Sequence, residues 1–230
     1  MIRKKIWALY CVTVLMLLSF ILTMDRAVTT MASGEKGRNC IIIDPGHGGE
    51  DGGATSITGR LESDYNLEIA LRLNDLFQLL GYDTRMIRTT DTAIYTKGET
   101  LSQKKISDLK ERTRVANETP NSFLISIHQN TFSDPQYSGA QVFYGEGERS
   151  LALARQLQDA LIQGLNPGSN RKCKKASGIY LMEHISCPGV LIECGFLSND
   201  REARLLSEPD YQKKLCCVIA ATTAAFLSNA

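Results

Sequence analysis

The chain has 230 residues, 43% apolar and 22% charged, a balance that excludes a disordered or collagen-like protein and fits about one globular domain. Twenty-six Lys and Arg against 25 Asp and Glu leave a net charge of +1, which argues against a protein that coats nucleic acid, since that task needs a basic excess on some face. Without the first 32 residues the charge is −2, because Arg3, Lys4, Lys5 and Arg26 concentrate the positive groups at the N-terminus.

Arg3, Lys4 and Lys5 precede Ile6 to Met24, 19 uncharged residues closed by Asp25 and Arg26. At about 1.5 Å per residue such a helix nearly crosses a hydrocarbon core of roughly 30 Å, and the positive flank holds its start in the cytoplasm while the remainder is exported. The run exceeds the about 7–15 apolar residues of a signal core, which favours a membrane anchor over a cleaved signal peptide. Thr30-Met31-Ala32 would nonetheless serve as a cleavage site. The expected organisation is residues 1–24 as signal anchor or signal peptide, 25–38 as polar tether and 39–230 as one working domain.

Cys40 to Ile43, Tyr82 to Arg88, Phe123 to Ile127 and Val190 to Ile192 have the length and β-branched content of strands, with Gln141 to Tyr144 and Ile179 to Met182 weaker strand candidates. Between them, Asp64 to Leu80 repeats its apolar residues with a 3.6 period and stops at Gly81. Ile106 to Asn117, Arg149 to Leu165 and Pro209 to Ser228 have the same character. Strands alternating with helices predict an α/β fold, a largely parallel or mixed sheet with helices on both faces. Asp91 to Lys105 reads as a long polar loop, either a flap over a cleft or a solvated connection. The seven cysteines include no Cys-x-x-Cys pair, which excludes a zinc ribbon. Most read as small core residues, and Cys173 with Cys187 is the one pairing worth checking.

In an α/β sheet the ligand crevice lies beyond the carboxyl ends of the strands. Ile41-Ile42-Ile43 runs into Asp44-Pro45-Gly46-His47, Leu124 to Ile127 ends at His128, and Val190-Leu191-Ile192 ends at Glu193. Two of the chain's three histidines thus occupy strand ends, beside a Glu in an equivalent position. A catalytic zinc takes three protein ligands, commonly His with a carboxylate, and keeps a fourth position open. His47 and His128 supply two nitrogens. Spacing does not choose the carboxylate among Glu50, Asp51, Glu62, Asp64 and Glu68. Glu193 would stand apart as general base, taking a proton from water and handing it to the leaving amine. The glycines from Gly46 to Gly53 match neither G-x-G-x-x-G, because Asp51 interrupts it, nor a P-loop. They suit a backbone that needs positive φ or close approach around His47.

Asp44-Pro45-Gly46-His47-Gly48-Gly49 with Gly52-Gly53-Ala54, then Leu61-Glu62, then Ser126-Ile127-His128-Gln129-Asn130, then Ile192 to Asn199, resemble the zinc-dependent N-acetylmuramoyl-L-alanine amidases that cleave peptidoglycan. The four motifs stand in order, and the resemblance covers about residues 40–229. Thr96-Lys97-Gly98, Gly178 to Met182 and Glu208 to Lys214 are most similar to the germination-specific branch in endospore formers. The resemblance implies one zinc per chain held by His47, Glu62 and His128, Glu193 as the catalytic carboxylate, and a mixed, mostly parallel sheet flanked by helices. Gln129 and Cys194 depart from common family choices without touching those roles, and His184 and Glu50 match no functional position. Arg112 and Asn117 match a family pattern and read as structural, with Arg112 able to lie along an exposed helix face.

The function implied is hydrolysis of the amide between N-acetylmuramic acid and L-alanine in peptidoglycan, outside the cytoplasm and tethered to the membrane through the N-terminal segment. Its partners are glycan strands with stem peptides. In the spore branch it precedes a separate muramic acid deacetylase and cyclase that form the δ-lactam of the cortex. Two rivals share these residues: a non-catalytic wall-assembly protein, and a zinc peptidase cutting within stem peptides.

Overall fold

The structure is a computed structural model, described over residues 39–229. The anchor or signal peptide at 1–24 and the tether at 25–38 lie outside the described residues. Among the described residues no helix is long and apolar enough to cross a membrane.

Twelve elements follow in order: β1 (Cys40–Pro45), α1 (Glu62–Leu79), β2 (Asp83–Met86), α2 (Leu101–Asn117), β3 (Ser122–Asn130), β4 (Gln141–Tyr144), α3 (Glu148–Leu165), β5 (Lys174–Lys175), α4 (Tyr180–His184), β6 (Gly189–Phe196), α5 (Asp200–Ser207) and α6 (Pro209–Ser228). The six strands form one sheet in the order β2-β1-β3-β6-β4-β5. All neighbours are parallel except β4 and β6. This is the mixed, mostly parallel sheet expected.

The period of two along each strand divides the core. Ile41, Ile43, Ile125, Ile127, Val190 and Ile192 face α1, α3 and α6, where Ile69, Leu73, Leu157 and Ile219 complete the larger cluster. Ile42, Leu124 and Leu191 face α2 and α4, against Ala116, Leu181 and Met182. Apolar residues on both faces are what a central parallel strand requires, because helices cover it on each side.

Besides the two-residue strand β5, which the expectation lacks, three segments differ from it. Ile179 to Met182 is not a strand: Tyr180–His184 is a helical turn, entered from Gly178 at φ 73°, with Leu181 and Met182 both buried side by side. A four-residue apolar run does not distinguish the two periods by itself. Helix α2 starts at Leu101, inside the segment read as loop, because Thr100 and Gln103 form a reciprocal capping box. The rest of that loop is held down, with the backbone N–H of Ile94 donating to Asp108 and those of Thr96 and Lys97 to Ser107. Helix α5 was not expected, although Asn199 caps the Glu202 N–H and the Asn-x-x-Glu spacing is a recognisable start signal.

Ile125 lies at the centre of β3 with no exposure between β1 and β6. Ile125→Ala is expected to cost about 2–5 kcal/mol, measured as a lower urea midpoint at unchanged slope.

Candidate metal centre

Three segments converge beyond the carboxyl ends of β1 and β3. β1 delivers Asp44 and Pro45, and the chain then turns through His47 at φ 61°, Gly48 at φ 134° and Gly49 at φ 60°. A non-glycine residue in the left-handed region is uncommon. Here it aims the imidazole back over the sheet. A Cβ on Gly46 would overlap the His128 ring, and one on Gly53 would lie 2.6 Å from Glu62 Oε2. Glycine at these two positions is therefore a condition for bringing the loop against the ligand side chains.

Glu62 is the first residue of α1, where the free N–H groups and the helix dipole favour a negative charge. Its Oε1 lies 3.0 Å from His128 Nδ1 and its Oε2 3.3 Å from His47 Nε2. The backbone N–H groups of Gln129 and Ala54 donate to the same carboxylate at 3.1 and 3.0 Å. Burial alone would raise its pKa, but the hydrogen bonds and charges of His128 and His47 hold it well below the usual carboxylate range. For His47, burial works against the charged ring, yet Asp51 and Glu62 push its pKa up to about 9. His47 Nδ1 lies 3.0 Å from Asp51, which Lys105 approaches within 3.1 Å.

One ligand atom from each of His47, Glu62 and His128 fits within 4.8 Å of the others. Two imidazole nitrogens and a carboxylate oxygen at that spacing are the donor set of an open, three-ligand zinc site, and the residues present fit such an ion. Asp51 and Gln129 stand where outer-shell groups orient ligands. Glu193 is the register partner of His128 across β3 and β6. Burial raises its carboxyl to about 7, with His128 and His47 pulling down and Glu62 pushing up. Its Oε2 has no hydrogen-bond partner among the described residues. A cavity of about 230 Å³ opens beside the centre, between Leu109 of α2 and Ile179 to Leu181 at the start of α4.

A family model described as N-acetylmuramoyl-L-alanine amidase matches residues 41–224. The chain belongs to this family. It is 42% identical over 182 residues to the germination-specific N-acetylmuramoyl-L-alanine amidase of Bacillus subtilis (strain 168), covering 78% of this chain and 76% of that one. Among solved structures it is similar to the CwlD amidase from Clostridioides difficile in complex with the GerS lipoprotein. The TM-score there is 0.80 at 35% identity, over 84% of this chain and 100% of that one. A second structure, an N-acetylmuramoyl-L-alanine amidase from Clostridium difficile 630, gives a TM-score of 0.73 at 28% identity, over 84% and 98%.

The candidate centre rests on two arginines that sequence reasoning undervalued. Arg112, expected to be structural and able to face solvent, is 2% exposed. It donates to Asp44 Oδ1 at 2.6 Å, to the Pro45 carbonyl at 2.8 Å, to the His47 carbonyl at 2.7 Å and to Asp108 at 2.5 Å. Arg88, not singled out at all, donates to the carbonyls of Pro45, Gly46 and Ser63. A charged residue just past a strand carries no distinctive single-sequence signal. Asp44 is buried, which would raise its pKa, but Arg112 and Ser126 hold it low.

The other expectations resolve plainly. Asn117 binds the segment after α4 through His184 and Ser186. His184 stacks on Tyr180 with ring centroids 4.0 Å apart, and Glu50 pairs with Lys104. The Cys173–Cys187 pairing is absent, and both thiols are free.

Arg112→Met would leave the Asp44 carboxylate buried without its counter-charge, a defect of about 3–5 kcal/mol. Urea unfolding should show that loss, and the Arg112→Met/Asp44→Asn double variant should recover part of it.

Proposed function

We propose that this amidase cleaves the bond between N-acetylmuramic acid and L-alanine in peptidoglycan, with one zinc ion per chain held by His47, Glu62 and His128 and with Glu193 as proton carrier. The observation that carries the reading is the His-Glu-His set within 4.8 Å beside a buried carboxyl on the next strand. An ion held by His47, Glu62 and His128 would supply Lewis acidity toward the lactyl carbonyl and would make water a competent nucleophile near neutral pH. Glu193 accepts the proton of the attacking water and returns it to the departing amine of L-alanine. A carboxyl whose pKa sits at about 7 can do both, because neither protonation state is far from the working pH. Glu62 and the histidines keep their geometry through Ala54, Gln129 and Asp51. Arg112 and Arg88 keep the loop that carries His47 from moving.

The setting follows the germination-specific relative. The enzyme works outside the cytoplasm, reaches the membrane through residues 1–24, and strips stem peptides in spore cortex ahead of a separate deacetylase and cyclase that form muramic δ-lactam. The products are glycan and a free peptide that begins with L-alanine.

His128→Ala should lower zinc content and activity together, whereas Glu193→Gln should keep zinc and lose about 10²–10⁴-fold in rate. Metal analysis with turnover on the same preparations checks this, and full zinc in His128→Ala would remove the ligand assignment. Digested peptidoglycan examined by mass spectrometry should contain whole stem peptides with L-alanine at their N-terminus. New N-termini inside the stem would instead make the protein a peptidase, and zinc loading with no cleavage would leave the assembly role.

A further inference from the structure

A second cleft lies apart from the cavity beside the candidate metal centre. It is open, about 920 Å³ in volume, and lies between the loop after β3, the loop joining α3 to β5, and α5. That volume lies at the upper end of ligand pockets. Gln141 lines it and is the register partner of Glu193 across the antiparallel pair of β4 and β6, so one wall of the cleft stands on the strand next to the proposed proton carrier.

The charge of the cleft is one-sided. Arg171, Lys172, Lys174 and Arg201 line it, and among the described residues none of the four is in an ion pair. Their immediate neighbours are paired: Lys175 with Glu146 and Arg204 with Asp200. The acid of the cleft, Glu202, is spent inward. It is buried, and its two oxygens accept from the backbone N–H groups of Gly139 and Phe196. Arg171 is already immobilised, donating to the Ser138 carbonyl at 2.8 Å and to Gln141 Oε1 at 3.2 Å while lying 4.7 Å over the Phe196 ring. An arginine held in this way presents its free edge with little further ordering cost. Since residues 33–230 carry −2 overall, this local positive surface is not a by-product of a basic chain.

Resting on the amidase reading above, we infer that this cleft is the subsite for the stem peptide of the substrate and binds its carboxylates. The sugars of the glycan are neutral when the lactyl group is in amide linkage, so the anionic groups of the substrate lie on the peptide. A peptide leaving Glu193 in extended form covers roughly 13 Å in four residues, along the edge of the sheet toward Lys172 and Lys174. The cations then select substrates with an intact acidic peptide, while the metal centre alone treats the amide.

The test uses the full chain in detergent and two muramoyl substrates, one with a tetrapeptide and one ending after L-alanine. In the Lys172→Glu/Lys174→Glu/Arg201→Glu variant, KM for the tetrapeptide substrate should rise at least about tenfold with kcat changed less than about twofold, and on the truncated substrate KM should match that of the wild type. An unchanged KM on the tetrapeptide substrate, or an equal rise on both, overturns the assignment. Should wild type cut neither substrate, the amidase reading fails, and titration of the free tetrapeptide decides the cleft separately. Binding lost in the variant supports the subsite, and equal binding refutes it. If circular dichroism shows the triple variant unfolded, Lys172→Gln/Lys174→Gln replaces it under the same criteria.

Discussion

The buried guanidinium of Arg112 is the contact on which the geometry of the candidate metal centre depends. A charge removed from water is tolerated only when paired and fully hydrogen-bonded, and Arg112 satisfies that condition by reaching across to the exit of β1. Asp44, the Pro45 carbonyl and the His47 carbonyl are all its acceptors, with Asp108 completing the set from its own helix. The backbone from Asp44 to His47 has little freedom left, because Arg88 also donates to the Pro45 carbonyl and to that of Gly46. The left-handed conformation of His47 at φ 61° persists because these contacts over-determine the loop.

With the loop pinned, the environment separates two carboxylates. Glu62 sits at a helix start, between two imidazoles and under two backbone N–H groups, and it remains ionised. Glu193 lies on the adjacent strand, buried, with Oε2 unpartnered among the described residues, and its carboxyl is pushed up to about 7. The same functional group is held ionised in one place and has its pKa raised toward neutrality in the other, the two states that the proposed ligand and proton-carrier roles require.

The sheet topology then decides how the surroundings of the centre are divided. β4 runs antiparallel to β6, which brings Gln141 beside Glu193 and places the loop before β4 with the α3–β5 loop and α5 around the wide cationic cleft. On the α2 and α4 side, Leu109 and Ile179 to Leu181 narrow the space to a smaller apolar cavity. The segment from Ile94 to Lys97, anchored to Ser107 and Asp108, is fastened to α2 and is not a free flap.

The sequence by itself determined the alternation of strands and helices, the strand-end positions of His47 and His128, and the glycines required around them, since these follow from local periodicity and from backbone conformations that one residue type permits. Its motifs carried the family resemblance. By spacing it did not determine which of five nearby carboxylates meets the histidines, a choice only the resemblance implied, because that depends on α1 folding back so that its first residue, Glu62, lands between them. Nor did it show that Arg112 points inward or that Arg171, Lys172, Lys174 and Arg201 share one cleft. Those facts arise from segments distant in the chain, and only packing in three dimensions, which fixes side-chain direction and desolvation together, decides them.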